Sequence, residues 1–149
     1  MQTIALMRNT IQPYAWGSRT AIAELRGEPS PAAEPQAELW IGAHPKPPSG
    51  ERVRGRWEPL DELIAAHTAG IMGAAAATRF NGQLPYLLKV LAAERPLSIQ
   101  AHPSRDQARE GFARENRLKI ALDAPQRNYR DANHKPECIC ALTPFWALS

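Results

Sequence analysis

Prolines divide this chain into short segments and limit the folds open to it. The 149 residues include 14 prolines, and a proline inside a helix removes a backbone hydrogen bond and clashes with the preceding turn. A helical bundle is therefore not expected. Strand-like segments come first, short helices are inserted, and strand and helix do not alternate regularly. This order predicts a mainly β fold, a sandwich or barrel with helical excursions.

Apolar and β-branched runs predict the strands. The run 3–17 predicts a strand that leads into a Pro/Gly loop, and further strands are predicted at 38–43, 85–92, 97–102 and 137–142. The segment 85–92 is almost continuously apolar, which predicts a buried strand. The three prolines of segment 27–36 predict an exposed connection.

Three short helices are predicted from capping residues and from the spacing of apolar side chains. Ser18 is expected to cap the first, whose apolar residues are Ala21, Ile22 and Leu25. The second has one face made of Leu60, Leu63, Ile64, His67 and Ile71. In the third, Ser104 and Gln107 form a capping-box pattern, and the residues expected to face inward are Ala108, Gly111 and Phe112.

Charge and cysteine content narrow the classes of partner. The formal net charge is only +3 and the basic residues are scattered, so we do not expect the chain to bind nucleic acid. A small anionic substrate is compatible with this slightly positive net charge. No run approaches the length of a membrane span, and residues 1–10 lack the apolar core of a signal peptide. Cys138 and Cys140 are the only cysteines. We expect both to be reduced and buried, as in a cytoplasmic protein.

The stretch RPLSIQAHP, residues 95–103, alternates apolar and polar side chains. On a strand, alternate residues share a face, so Leu97, Ile99 and Ala101 are expected to face the core. Ser98, Gln100 and His102 would form a polar stripe on the opposite face.

This stripe suggests a metal site. Gln100 and His102 could reach one point above the sheet, and Glu137 is the best candidate for a carboxylate ligand. A set of histidine, glutamate and glutamine without thiolates suits an open, catalytic zinc site. From the residues alone two other interpretations stay open: His102 hydrogen-bonded to its neighbours, and Glu137 a surface or ion-paired carboxylate.

A collinear series of motifs carries a family resemblance. They are QPYAWGS at 12–18, AELWIGAHPKPPS at 37–49, LPYLLKVLAA at 84–93, PLSIQAHP at 96–103 and NYRDANHKPE at 128–137. The chain resembles the N-terminal portion of type I phosphomannose isomerases, also called mannose-6-phosphate isomerases. The resemblance implies a cupin-type β-barrel, or jelly roll, with short inserted helices. It also implies a zinc-dependent interconversion of mannose 6-phosphate and fructose 6-phosphate.

The resemblance assigns roles to particular residues. It implies that Gln100, His102 and Glu137 bind one zinc ion per chain. Lys135 and Ser98 would line the substrate pocket.

Trp16 would form part of the wall of that pocket. The implied reaction removes a proton beside a carbonyl and passes through an enediol(ate), whose charge zinc can stabilise as a Lewis acid. Lys135 could act as the base, or could hold a sugar oxygen or the phosphate as a point charge. We favour the second role.

The resemblance also implies parts that this sequence does not contain. Residues 1–149 correspond to the N-terminal part of the catalytic domain, and the helical domain and second half of the barrel would lie beyond them. The family's fourth zinc ligand, a histidine, and a pocket arginine also lie beyond residue 149. His44 is a possible substitute for that histidine.

Two alternatives to an isomerase remain at this point. One is a non-catalytic fragment that binds zinc, a sugar phosphate or a partner, such as a complementary C-terminal polypeptide or a second copy of itself. The other is a small zinc module built from His102, His134, Cys138 and Cys140, whose spacing does not match known zinc fingers.

Overall fold

Two three-stranded antiparallel sheets form the framework of the first of two units, Met1–Leu97 and Ser98–Ser149, into which the chain divides. The computed structural model describes residues 4–44, 48–53 and 55–146. Its strands are β1 (Met7–Arg8), β2 (Thr10–Gln12), β3 (Glu38–Ile41), β4 (Gly50–Val53), β5 (Arg56–Pro59) and β6 (Leu88–Leu91). One sheet has the order β1-β4-β5 and the other the order β2-β3-β6.

The helices are short, with one exception. They are α1 (Ala21–Leu25), α2 (Leu60–Ala66), α3 (Thr68–Met72), α4 (Ala74–Arg79) and α5 (Arg105–Arg117). Within the described residues of the second unit, 98–146, α5 is the only helix. In the part of the chain that is described, no helix has the length and apolar character needed to cross a bilayer.

The core of the first unit lies between α1 and the β2-β3-β6 sheet. Ile22, Leu39 and Ala92 are buried together, and Ile11 and Val90 pack against them. The buried residues of α2 are Leu60, Leu63 and Ile64. The mainly β class predicted from the sequence is confirmed.

The predicted cap of α5 is confirmed, whereas the N-cap of α1 is Thr20, two residues after the predicted Ser18, and its side chain makes no capping hydrogen bond. The Ser18 hydroxyl accepts the backbone N–H groups of Thr20 and Ala21 at 3.2 and 3.4 Å, at the start of α1. Ser104 and Gln107 form the complete capping box of α5. Ala108 and Gly111 of α5 are buried.

Two expectations for helix faces are wrong. Leu25 is 63% exposed, because α1 ends there and only Ile22 and Ala23 face the core. The second predicted helix is interrupted at His67, whose φ of −135° is not helical, and it continues as α3. This break removes Ile71 from the buried face of α2, and Ile71 is exposed.

Two predicted strands are shorter than expected. The strand predicted at 38–43 ends at Ile41, because the N–H of Gly42 donates to the Ser49 hydroxyl and its carbonyl accepts from the Ser49 N–H. The strand predicted at 85–92 covers only Leu88–Leu91. It is an outer strand with β3 on one side only, so Leu88 and Leu91 are exposed and its predicted burial is wrong.

The strands predicted at 97–102 and 137–142 are not formed. A strand needs a neighbour that pairs with its backbone N–H and C=O groups, and none of β1 to β6 pairs with either segment. Ile99, expected to face the core, is 89% exposed, and Leu142 is 82% exposed. Cys138 and Cys140 are free but exposed, so their predicted burial is also wrong.

Gly17 is expected to be essential to the first unit. A Cβ at this position would lie 2.5 Å from both the Cα and the backbone nitrogen of Ala37, so the Gly17→Ala variant must displace the backbone just before β3. We expect the free energy of unfolding to fall by about 1–3 kcal/mol, measured by urea denaturation.

The matched control is Gly50→Ala, whose Cβ would meet its nearest atoms at 3.6 and 3.7 Å. This control is expected to be neutral or to stabilise by up to about 1 kcal/mol. Equal stability of the two variants would contradict the prediction.

Candidate metal centre

His102 and Glu137, which are 35 positions apart in the sequence, meet in the second unit. The His102 Nε2 atom lies 3.4 Å from Glu137 Oε2. This distance exceeds the usual 2.7–3.2 Å of an N–H···O hydrogen bond. Both side chains remain partly exposed to solvent, with 31% and 55% of their surface accessible.

The separation of these two atoms fits a shared zinc ion. Zinc bonds to imidazole nitrogen and carboxylate oxygen at about 2.0–2.2 Å in tetrahedral geometry. Two such ligand atoms are then about 3.4 Å apart, by the tetrahedral angle. The pair therefore has the spacing and the donor types of two zinc ligands.

The other predicted ligand is close to His102 in sequence but forms no hydrogen bond with either member of the pair. Gln100 precedes His102 by two residues, is exposed, and forms no hydrogen bond among the described residues. Within those residues no three side chains of histidine, cysteine, aspartate or glutamate gather into a metal-binding group. A zinc module of His102, His134, Cys138 and Cys140 is therefore not formed.

The predicted substrate-contacting residues lie in both units. Lys135 and Ser98 belong to the second unit and both are exposed. The Lys135 Nζ atom lies 3.9 Å from Asp131 Oδ2, a weak surface ion pair. Trp16 belongs to the first unit, is partly buried, and has its ring centroid 5.8 Å from that of Tyr14.

His44, the predicted substitute ligand, lies in the first unit against Trp40, with ring centroids 4.7 Å apart.

Trp40 belongs to a polar cluster on the β2-β3-β6 sheet that the sequence did not predict. The Trp40 indole N–H donates to the Glu38 carboxylate, and Lys89 Nζ lies 3.3 Å from Glu38 Oε2. Burial, and then the negative charge of Glu38, raise the pKa of the Tyr14 phenol. A possible signal was Lys89, the one charge in the apolar run 84–93.

A second missed cluster lies on α5. Glu115 and Arg127 are only 4% and 5% exposed, and Arg127 Nε lies 3.6 Å from Glu115 Oε2. The Glu115 carboxylate accepts the backbone N–H of Tyr129 at 2.8 Å and that of Asn128 at 3.2 Å. Sequence gave no signal for this pair, because both residue types are usually exposed.

A cavity in the first unit has none of the predicted site residues in its lining. It measures about 510 Å³, and the residues around it include Arg8, Asn9 and Trp57. None of the predicted zinc ligands or substrate-contacting residues lines it.

Comparison with known proteins identifies the family. The family described as phosphomannose isomerase type I, catalytic domain, matches residues 4–149. The chain belongs to this family. It is 50% identical over 144 residues to the mannose-6-phosphate isomerase of Escherichia coli (strain K12), which covers 95% of this chain and 36% of the relative. The Homo sapiens enzyme is 41% identical, over 93% of this chain and 32% of that protein.

Solved phosphomannose isomerases share the fold. A zinc-bound mannose 6-phosphate isomerase superposes with a TM-score of 0.79 and 47% identity, over 87% of this chain and 33% of that chain. The Salmonella typhimurium enzyme, bound to fructose 6-phosphate and zinc, superposes with a TM-score of 0.81 and 46% identity, over 90% and 34%. The fold is therefore mainly β and of the cupin type. The chain spans about a third of the length of these isomerases.

Glu115 makes the stability of the chain depend on pH. The Tyr129 backbone N–H is the main cause that lowers the pKa of Glu115 below its ordinary value of 4.5, with Asn128 and Arg127 contributing and burial acting in the opposite direction. Unfolding returns the carboxyl to its ordinary pKa. The stabilisation is therefore complete above about pH 4.5 and is lost as the pH falls through the lowered pKa.

A pH series with Glu115→Gln tests this dependence. The variant should be less stable than the parent near pH 7, and the difference in free energy of unfolding should shrink once the pH falls below about 4.5. Urea unfolding followed by far-UV circular dichroism measures it. Glu110→Gln, an exposed position on the same helix, should show no such trend. A difference that is constant with pH would show that the Glu115 charge does not stabilise the fold.

Proposed function

We propose that this chain forms the zinc-binding N-terminal part of the catalytic domain of an isomerase that interconverts mannose 6-phosphate and fructose 6-phosphate. The 3.4 Å approach of His102 Nε2 to Glu137 Oε2 is the observation that carries the proposal. Membership of the family supports it, as do the zinc and the fructose 6-phosphate named in the solved relatives.

Gln100, His102 and Glu137 are the residues that would hold the zinc. His102 and Glu137 already have the spacing of a ligand pair. Gln100, two residues before His102 and exposed, would supply the third ligand that the family resemblance implies. When bound, the metal supplies Lewis acidity that stabilises negative charge on the sugar oxygens.

The isomerisation transfers a proton between two neighbouring carbons of the sugar. A proton leaves C2 of the aldose, the resulting enediol(ate) is protonated at C1, and the hydroxyl proton moves from O2 to O1. Each transfer needs a positioned group that accepts and returns the proton. The site must also hold the sugar phosphate in place through both transfers.

Lys135 and Ser98 would contribute to holding the substrate. The Lys135 ammonium makes only a long contact of 3.9 Å with Asp131, so an anionic group can compete for it at little cost. We assign it the role of a point charge that binds a sugar oxygen or the phosphate. The Ser98 hydroxyl, which is exposed, can donate to or accept from a sugar hydroxyl, and Trp16 would supply an apolar wall.

Zinc titration of the purified chain tests the proposed ligands. We expect binding that His102→Ala abolishes, because loss of a ligand should cost more than the 10–100-fold known for outer-sphere partners. Isothermal titration calorimetry measures the affinity. His67→Ala, an exposed histidine of the first unit, should bind like the parent. Unchanged binding in His102→Ala would remove this residue from the site.

A coupled assay for fructose 6-phosphate tests catalysis. We expect the 149 residues alone to give no measurable turnover, because the fourth histidine ligand and the pocket arginine implied by the family lie outside them. Adding a polypeptide with the C-terminal two thirds of the Escherichia coli relative should raise turnover if the two parts assemble. Turnover near 10 per second by the chain alone, the median for enzymes, would contradict the prediction and make His44 the first residue to mutate.

A further inference from the structure

We propose that Glu115 and Arg127 are positioning residues that fix Glu137 against His102. They touch neither residue of the pair. Instead they hold the beginning of the 128–137 segment on α5, and Glu137 ends that segment. The inference rests on the proposed function, because it assigns the pair a shared ligand.

The two proposed ligands are connected to the same helix by different routes. His102 precedes Ser104, the N-cap of α5, by two residues, so the start of the helix sets its position. Glu137 follows Tyr129 by eight residues, and Tyr129 is bonded to Glu115 near the other end of α5. The separation of the ligand pair therefore depends on how the 128–137 segment begins.

Chain length alone does not determine where Glu137 lies. Eight residues can span up to about 28 Å when extended. The distance along α5 from Gly111, where the Tyr129 ring packs, to the first residue of the helix is only about 9 Å. The segment has ample slack, so its start must be held for Glu137 to occupy one place.

Glu115 binds the start of the segment through its backbone. Its two carboxylate oxygens accept the N–H groups of Asn128 and Tyr129, one each, at 3.2 and 2.8 Å. The Asn128 side-chain amide donates to the same carboxylate at 3.4 Å. A charged acceptor strengthens such bonds, and these contacts fix two consecutive peptide groups.

Arg127, the residue just before these two, is itself attached to the helix and to the turn that follows it. Its guanidinium donates to the carbonyls of Ile120 and Tyr129 and, at 2.7 Å, to the Asn116 side chain. It also lies 5.1 Å from the centre of the Phe112 ring. One buried side chain thus joins α5, the turn after it and the start of the segment.

The Tyr129 ring also attaches the start of the 128–137 segment to α5. A Cβ at position 111 would lie 2.5 Å from three atoms of its ring, so the ring rests directly on the helix backbone at Gly111. Arg114 covers the ring at 5.8 Å. Backbone, charge and ring contacts therefore all act on residues 127–129.

The experiment compares Glu115→Gln with Glu110→Gln in the full 149-residue chain. Glutamine keeps the size of the side chain but offers one acceptor oxygen in place of two and no charge for Arg127. We expect zinc affinity to fall 10- to 100-fold, the range for groups that orient a ligand, and to stay unchanged in Glu110→Gln. In the zinc-free protein, the NMR signals of the His102 ring should move toward those of the Glu137→Gln variant.

A second variant separates positioning from a general loss of structure. Arg127→Lys keeps the positive charge but loses the planar fork that reaches three acceptors, and it should weaken zinc binding in the same direction. Ile22→Val lowers stability in the core of the first unit and should leave zinc affinity and the His102 signals unchanged. Should Glu115→Gln lose its helical signal, Arg127→Lys supplies the measurement.

The outcomes distinguish this inference from the proposed function. A parent chain without His102-dependent zinc binding would overturn the proposed function. A parent that binds zinc through His102, with equal affinity and equal His102 signals in Glu115→Gln and Arg127→Lys, would overturn only the positioning role.

Discussion

The buried Glu115 carboxylate is the group on which the second unit depends. A carboxylate removed from water is costly unless it is paired and hydrogen-bonded. Glu115 meets this condition with two backbone N–H groups and the Arg127 guanidinium. Apart from α5, the described part of the unit has neither helix nor strand. Polar contacts to α5 therefore hold the irregular segments of this unit in place, as hydrogen bonds between strands do in the first unit.

The first unit is held by a different interaction. Its two sheets pair every strand with at least one antiparallel neighbour, and Ile22 of α1 packs with Leu39 and Ala92. The structure of the first unit therefore depends on backbone hydrogen bonds between strands and on burial of apolar side chains. The segments 97–102 and 137–142 have apolar residues of the same kind but no strand beside them, and their apolar side chains remain exposed.

The two proposed zinc ligands, His102 and Glu137, are both connected through the chain to residues that contact or cap α5. Neither residue lies in a strand or helix, yet their side chains approach to 3.4 Å. His102 lies two residues before the N-cap of α5, and Glu137 lies eight residues after Tyr129, whose backbone N–H is bonded to Glu115 of α5. In the proposed zinc site, α5 would set the positions of the two ligands, and both ligands are partly exposed to solvent.

The sequence alone determined the family, the mainly β class and the start of α5 at Ser104, and it predicted the donor types of a metal site. These are local properties: capping hydroxyls act within a few residues, and motifs such as NYRDANHKPE are read directly from the chain. The roles of all the predicted site residues stay predictions: Gln100, His102, Glu137, Lys135, Ser98 and Trp16. Only the tertiary structure decided which apolar runs form strands, because pairing depends on what lies beside a segment. The buried pair of Glu115 and Arg127 was also visible only in the tertiary structure. Burial of two usually exposed charges depends on contacts between residues that are apart in the sequence.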